Sequence, residues 1–181
     1  VMLNRTADPT YIAQSGLIGK NGTDTNAGRP RYTASGNHFT LQEGKDEVVV
    51  NLQLDQGDVR ITKQFVLRRG DYLVGMNYRV ENRGASAWSA ALFGQIQRDT
   101  HEPPAGDGVG MKPYLGAAIT TPDKNYKKVT FGELEDEAFT SEVKGGWVAM
   151  VQHYFISAWV PDQSQDNSFS LQKLGSRDLY T

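Results

Sequence analysis

The sequence predicts an all-β domain of mainly antiparallel strands. Three observations carry that prediction. Apolar residues recur at every second position through four consecutive runs, glycine-containing turn signals separate the runs, and no long stretch keeps a helical period. In the first run Val48, Val50, Leu52 and Leu54 alternate with Val49, Asn51 and Gln53, and Asp55-Gln56-Gly57-Asp58 turns the chain. Val59, Ile61, Phe65 and Leu67 then share a face opposite Arg60, Thr62 and Gln64, up to the turn Arg68-Arg69-Gly70-Asp71. Tyr72, Val74, Met76, Tyr78 and Val80 form the third run, closed by Asn82-Arg83-Gly84-Ala85. Trp88, Ala90, Leu92, Gly94 and Ile96 form the fourth. Short, regularly spaced strands with glycine turns describe a meander within a sandwich or barrel. Helix is expected only as a short turn near Leu134 to Phe139.

The most apolar stretch is GGWVAMVQHYFISAWVP, Gly145 to Pro161. Fourteen residues lie between Gly146 and Pro161, and Gln152, His153 and Ser157 interrupt them. A spanning helix needs about 20 predominantly apolar residues, so the expectation is a soluble chain in which this stretch builds core. Its alternating sets are both largely apolar, Trp147, Ala149, Val151, Phe155 and Trp159 against Val148, Met150, Tyr154, Ile156 and Val160. A strand apolar on both faces lies between layers. The stretch is therefore expected as buried strand, broken by a bulge near Gln152-His153, with Trp147 and Trp159 in the core.

With 181 residues the chain is long enough for one domain with a sizeable core. A formal net charge of -2 leaves no basic footprint for nucleic acid or an anionic membrane surface. The absence of cysteine excludes disulfides, cysteine-based zinc sites and thiol nucleophiles, and suits an oxidising compartment. The Val1-Met2-Leu3-Asn4-Arg5 opening carries no charged and then apolar leader, and starting on Val suggests a piece of something longer. Two polar segments flank the strand region. Lys20 to Arg31 is rich in turn formers, and Thr100 to Pro113 holds three prolines and three glycines, a composition typical of functional or mobile connections.

Residue chemistry offers no active-site motif. His38, His101 and His153 are not at metal-ligand spacing from one another, and a lone histidine in an apolar run is more often hydrogen-bonded structure than a ligand. His101 beside Glu102 has the right groups for acid–base work, against the commoner outcome of a solvated loop pair. Arg69-Gly70-Asp71 reads as a hairpin turn rather than an adhesion motif. The Asn-x-Thr triplets at Asn4 and Asn21 matter only in a eukaryotic secreted protein. Asp162, Ser164 and Asp166 resemble the start of a calcium loop without its glycine or distal glutamate, and read as an exposed turn. No metal or cofactor is expected. PDKNYKKVTFGELEDE, Pro122 to Glu137, splits its charge, with Lys124, Lys127 and Lys128 ahead of Glu133, Glu135, Asp136 and Glu137. Lysines on an edge strand block aggregation. The alternative is a docking surface with Tyr114, Tyr126 and Phe131 as anchors.

Several long blocks, in order, resemble a known family. They are YIAQSGLIG from Tyr11, FVLRRGDYLVGMNYRVEN from Phe65, FGQI from Phe93, TPDKNYKKVTF from Thr121, and Gly145 to Pro161. Together they resemble the large periplasmic domain of YidC, the bacterial inner-membrane protein insertase, in its gammaproteobacterial form. The resemblance runs over nearly the whole chain. It implies a β-supersandwich like that of galactose mutarotase-like domains, and a single but partial domain over residues 1–181. It implies a position on the periplasmic side of the inner membrane, and an insertase core for nascent membrane proteins in transmembrane helices absent here. It also implies contact with SecF of the SecDF complex, and so with the Sec translocon, through the stretch His101 to Val151. Within that stretch, charge and expected exposure select Tyr114, Lys124, Tyr126, Lys127 and Lys128 as contacts, with Trp147 assigned to core. A non-catalytic interaction domain is thus expected. The alternative is a domain whose cleft binds an extended peptide or a carbohydrate-like ligand; mutarotase chemistry would need a histidine and a carboxylate that no motif here matches.

Overall fold

The structure, a computed structural model, describes residues 3–5, 10–101, 114–152, 154–175 and 178–181, with backbone alone at 4 and 5. Along the chain it contains β1 (Asn4–Arg5), β2 (Thr10–Ile18), β3 (Thr33–Ala34), β4 (Glu47–Gln56), β5 (Val59–Arg68), β6 (Val74–Asn82), β7 (Ala91–Asp99), β8 (Gly116–Ile119) and β9 (Lys127–Val129). These are followed by α1 (Phe131–Asp136), β10 (Phe139–Lys144), β11 (Val148–Gln152), β12 (Phe155–Trp159), β13 (Asp166–Leu171) and β14 (Leu179–Tyr180). The fold class is all-β and antiparallel, as the alternation predicts. The chain forms two compact units, Val1–Ser15 with Phe93–Thr181, and Gly16–Leu92; the division falls inside β2 and β7.

The second unit is built on the sheet β3-β4-β5-β6. Its register sets Leu54 opposite Ile61 and Ile61 opposite Val80, with Val50, Phe65 and Met76 aligned likewise; between these two apolar rows Lys63 stands opposite Leu52 and Tyr78, its ammonium 5.4 Å from the Phe65 and Tyr78 ring centres. Ile61 on that face is fully buried. The other face carries amides: Gln64 Nε2 donates to Asn51 Oδ1 at 3.0 Å, and Asn77 Nδ2 to Gln64 Oε1 at 3.5 Å. Gly57 occupies the two-residue loop between the paired Gln56 and Val59 with φ +58°, a conformation that glycine adopts without steric cost.

Two sequence expectations fail here for identifiable reasons. The third run does not begin at Tyr72. Asp71 instead closes a turn, its N–H donating to Arg68 O at 3.2 Å while its Oδ1 accepts from Leu73 N at 2.9 Å, and this leaves Tyr72 fully exposed. Nor does the fourth run extend the meander, because β7 joins β2 and β14 in a different sheet. The connection before it is tied to the segment after β2 by a reciprocal pair, Asn21 N to Ser89 O at 3.0 Å and Ser89 N to Asn21 Oδ1 at 2.9 Å.

The first unit holds the sheets β1-β2-β7-β14, β10-β13 and β12-β11-β8-β9. One hydrophobic cluster draws on all three and on the helix. It includes Tyr11, Ile96 and Tyr180 from the first sheet, Ala117, Ile119, Val129 and Met150 from the third, Phe169 and Leu171 from β13, and Phe131 and Leu134 from α1. Each large side chain so buried contributes about 1.5–3 kcal/mol. The helix starts three residues before the expected turn, because Thr130 and Glu133 form a capping box, and it stops before Phe139, which begins β10. The stretch Gly145 to Pro161 is not one buried strand with a bulge. It is a hairpin in which Gln152 pairs with Phe155 and Val148 with Trp159. β11 is interior, with Ala149 and Met150 buried, whereas β12 is an edge with Phe155 and Ile156 each 54% exposed. His153 lies outside the described residues.

Candidate docking surface at a strand edge

The lysine-bearing segment is set up by a turn. In Thr121-Pro122-Asp123-Lys124, Thr121 N donates to Lys124 O at 2.8 Å and Lys124 N to Thr121 O at 3.2 Å. Proline at the second position presets the backbone for this turn. The Thr121 hydroxyl donates to Asp123 Oδ1 at 2.7 Å, which, with nearby Lys124 and Lys127, holds that carboxyl below its usual range. The turn hands the chain to β9, the edge of its sheet, where Ile119 faces Lys127, Ala118 faces Lys128 and Ala117 faces Val129.

The period of two then separates the neighbouring lysines. Lys127 shares a face with Ile119 and Val129, and its ammonium sits 4.1 Å from the centre of the Phe139 ring. Lys128 is on the opposite face, 4.7 Å from the Tyr114 ring. Such contacts cover an aromatic face while the charge stays hydrated. Tyr126, 48% exposed, packs its ring 5.7 Å from that of Trp147. Among the described residues none of Lys124, Lys127 and Lys128 has a carboxylate within 4.0 Å. The segment therefore presents lysines without a direct ion pair among the described residues, beside an exposed tyrosine.

Of the five expected contacts, Lys124, Tyr126 and Lys128 are exposed, and Lys127 is half-buried and turned toward Phe139. Tyr114 is half-buried, and its hydroxyl lies between the carbonyls of Ala117 (2.5 Å) and Val129 (2.9 Å). Burial pushes its pKa up to about 12. Its hydroxyl thus serves β8–β9 pairing. Trp147 is not core: it is half-buried against Tyr126 and outside the buried cluster, because its parity with Ala149 places it on the face away from Met150. Counting by twos from Ala149 gives Trp147 its face, whereas its contact with Tyr126 depends on the pairing of β8 with β9 and β11. The acidic half of the segment does not continue the edge. Glu133 caps α1, its carboxyl held low by the Thr130 hydroxyl and N–H, and Glu135 accepts from Tyr180 Oη at 3.0 Å and Lys173 Nζ at 3.4 Å.

The remaining sequence candidates are scattered. The His38 ring pairs with the Thr40 hydroxyl at 3.1 Å in an exposed loop. His101 is exposed, its N–H donating to Asp99 Oδ1 at 3.1 Å, and Glu102 lies outside the described residues together with most of the Thr100 to Pro113 segment. Asp162 accepts from Ser164 N at 2.8 Å and Ser164 Oγ at 2.7 Å, which makes a local turn of the calcium-like triplet.

A family model described as the YidC periplasmic domain matches residues 1–181. The chain belongs to the YidC periplasmic domain family. Among its relatives, the membrane protein insertase YidC of Cellvibrio japonicus is 51% identical over 99% of this chain, which is 33% of that protein. The corresponding proteins of Saccharophagus degradans and Alcanivorax borkumensis are 47% and 43% identical over 96% and 99% of the chain, or 31% and 32% of their own lengths. The chain thus spans about a third of the length of the YidC proteins it matches. No helix among its described residues is long and apolar enough to cross a membrane. Within the YidC periplasmic domain, then, the lysine-bearing β9 edge is a surface feature of the first unit.

Proposed function

We propose that this chain is a non-catalytic docking domain of a membrane protein insertase, held on the periplasmic side of the inner membrane, and that the β9 edge receives the periplasmic region of SecF within the SecDF complex. In this reading the handling of nascent membrane proteins belongs to parts of the insertase outside this chain. The observation that carries the proposal is exposed Tyr126 flanked along the chain by the exposed Lys124 and Lys128, since an aromatic anchor accompanied by charge is what protein interfaces use for affinity and steering. The family match supports the insertase context. Binding of the 181-residue chain to the purified periplasmic region of SecF, measured by calorimetry, tests it. Micromolar binding is expected, lost in Lys124→Glu/Lys127→Glu/Lys128→Glu and weakened about tenfold in Tyr126→Ala, as a moderate interface anchor requires. The tyrosine variant serves should the triple variant melt early. Binding that survives both substitutions in folded protein would remove β9 from the interface.

A further inference from the structure

The opposite edge of the same sheet has different chemistry. The order β12-β11-β8-β9 leaves β12 bonded on one side only among the described residues. An edge strand presents a row of unpaired N–H and C=O groups, and proteins ordinarily blunt it with lysine, proline, a bulge or a very short strand. β12 uses none of these devices. Its five residues, Phe155-Ile156-Ser157-Ala158-Trp159, contain no charge and no proline. They pair one for one with β11, from Gln152↔Phe155 to Val148↔Trp159, so no bulge turns the edge away. Pro161 acts only after the strand has ended.

The edge also keeps apolar surface in water on both sides of the sheet. Phe155 and Ile156 point to opposite faces and are each 54% exposed, and Val160 beyond them is 48% exposed. A strand laid alongside β12 would find main-chain partners along its length and apolar side chains above and below.

We infer that β12 is a receiving edge for an extended, uncharged, apolar-rich segment of a partner polypeptide, which adds to this sheet as a fifth strand. The occupant follows from the chemistry of the edge. Unpaired main-chain groups call for an extended backbone, because a helix has spent its own backbone bonds internally. Exposed Phe155 and Ile156 call for β-branched or aromatic side chains at alternating positions. A neutral strand offers no counter-charge to a basic or acidic segment, which separates this edge from the lysine edge of β9. The inference goes beyond SecF docking and does not depend on it.

Fluorescence anisotropy with the 181-residue chain tests it. The probe is a fluorescein-labelled ten-residue peptide alternating valine and threonine between terminal lysines. A control peptide is N-methylated at four successive central residues, which removes donors from both of its edges. Saturable binding of the probe is expected, with none for the methylated peptide. Ile156→Lys/Ala158→Lys, at two exposed positions, should weaken binding at least tenfold, and the triple lysine-to-glutamate variant at β9 should not change it. If the double variant fails to melt cooperatively, Ala158→Lys alone is measured. Absence of saturable binding, equal binding of the methylated peptide, or unchanged affinity in a folded lysine variant would each overturn the inference. So would concentration-dependent dimerisation abolished by the same lysines, since the occupant would then be a second copy of the chain.

Discussion

The sheet β12-β11-β8-β9 ends in two edges of opposite character. At β9 a three-residue strand carries Lys127 on one face and Lys128 on the other, each ammonium resting over an aromatic ring, and a capped helix follows at once. At β12 a five-residue strand carries no charge and exposes Phe155 and Ile156. Both strands are joined by regular antiparallel pairing to interior neighbours. The difference lies in strand length and side chains, and both protect β9 against strand addition in a way that β12 lacks. It also separates apolarity from burial: β11 and β12 are comparably apolar, yet on the same face of the sheet Met150 is 2% exposed and Phe155 54%, since among the described residues β11 is flanked on both sides and β12 on one.

The sharpest test of that contrast is a pair of truncations in one hairpin. Met150→Ala should cost about 2–5 kcal/mol, the range for large-to-small changes at buried sites. Ile156→Ala should stay within about 0.5 kcal/mol, as exposed substitutions do. Urea melts read both, and equal losses would mean that β12 is covered in solution. The two tryptophans divide in the same way. Trp159 packs against the core and against Gly94, where an added Cβ would come within 2.7 Å of its ring, so Trp159→Ala should cost roughly 3 kcal/mol, the low end for aromatic truncation. Trp147 has exposed Tyr126 as its ring partner, and Trp147→Ala should cost about 1 kcal/mol, the scale of an aromatic pair. A loss at Trp147 matching that at Trp159 would return it to the core.

How much of this was legible in the sequence depends on whether the signal was local. β4, β5 and β6 were readable because one face of each is mostly apolar and the other mostly polar, Lys63 and the Val49–Val66 pair being the exceptions, and because Gly57 and Gly70 mark turns that need positive φ. β12 was misread because a strand apolar on both faces looks the same whether it lies between layers or at an open edge; only its place in the sheet decides, and that is set by distant pairing. β7 left the meander for the same reason. The start of α1 was within reach, since Thr130-x-x-Glu133 is a capping box, yet six residues are too few to show a helical period. In the candidate site the lysines and Tyr126 were readable as exposed charge and anchor. The places of Tyr114 and Trp147 follow from the pairing of β8 with β9 and β11, and the Tyr114 hydrogen bonds reach main-chain atoms that carry no sequence signature.

The supports behind the β9 edge carry an effect well below that of Met150 or Trp159. Thr130→Ala removes the cap of α1 and should cost about 1 kcal/mol in a thermal or urea melt. Because Phe131 and Leu134 are held in the core in any case, the loss should appear as faster amide exchange in the first turn of the helix while β12 exchanges as before. Altered exchange in β12 would couple the two edges and weaken the contrast drawn between them.

An effect of similar size is expected at Tyr114, which clasps β8 to β9 through the carbonyls of the paired residues Ala117 and Val129. Tyr114→Phe should cost about 1 kcal/mol near neutral pH, the net worth of a typical hydrogen bond. Its signature is the alkaline limb. The native phenol ionises near 12 against an ordinary value of 10.0, so above pH 10 the unfolded chain gives up this proton first. The stability tied to Tyr114 is therefore fully present below pH 10 and lost as pH climbs toward 12. Tyr11, Tyr32 and Tyr180 are also shifted upward, so the wild-type curve alone does not isolate Tyr114. The difference between wild type and Tyr114→Phe does: it should shrink across this window, with the variant falling less steeply. Parallel alkaline curves would mean that the hydroxyl is solvated and that β9 is held at its edge by the ladder and the lysines without the clasp.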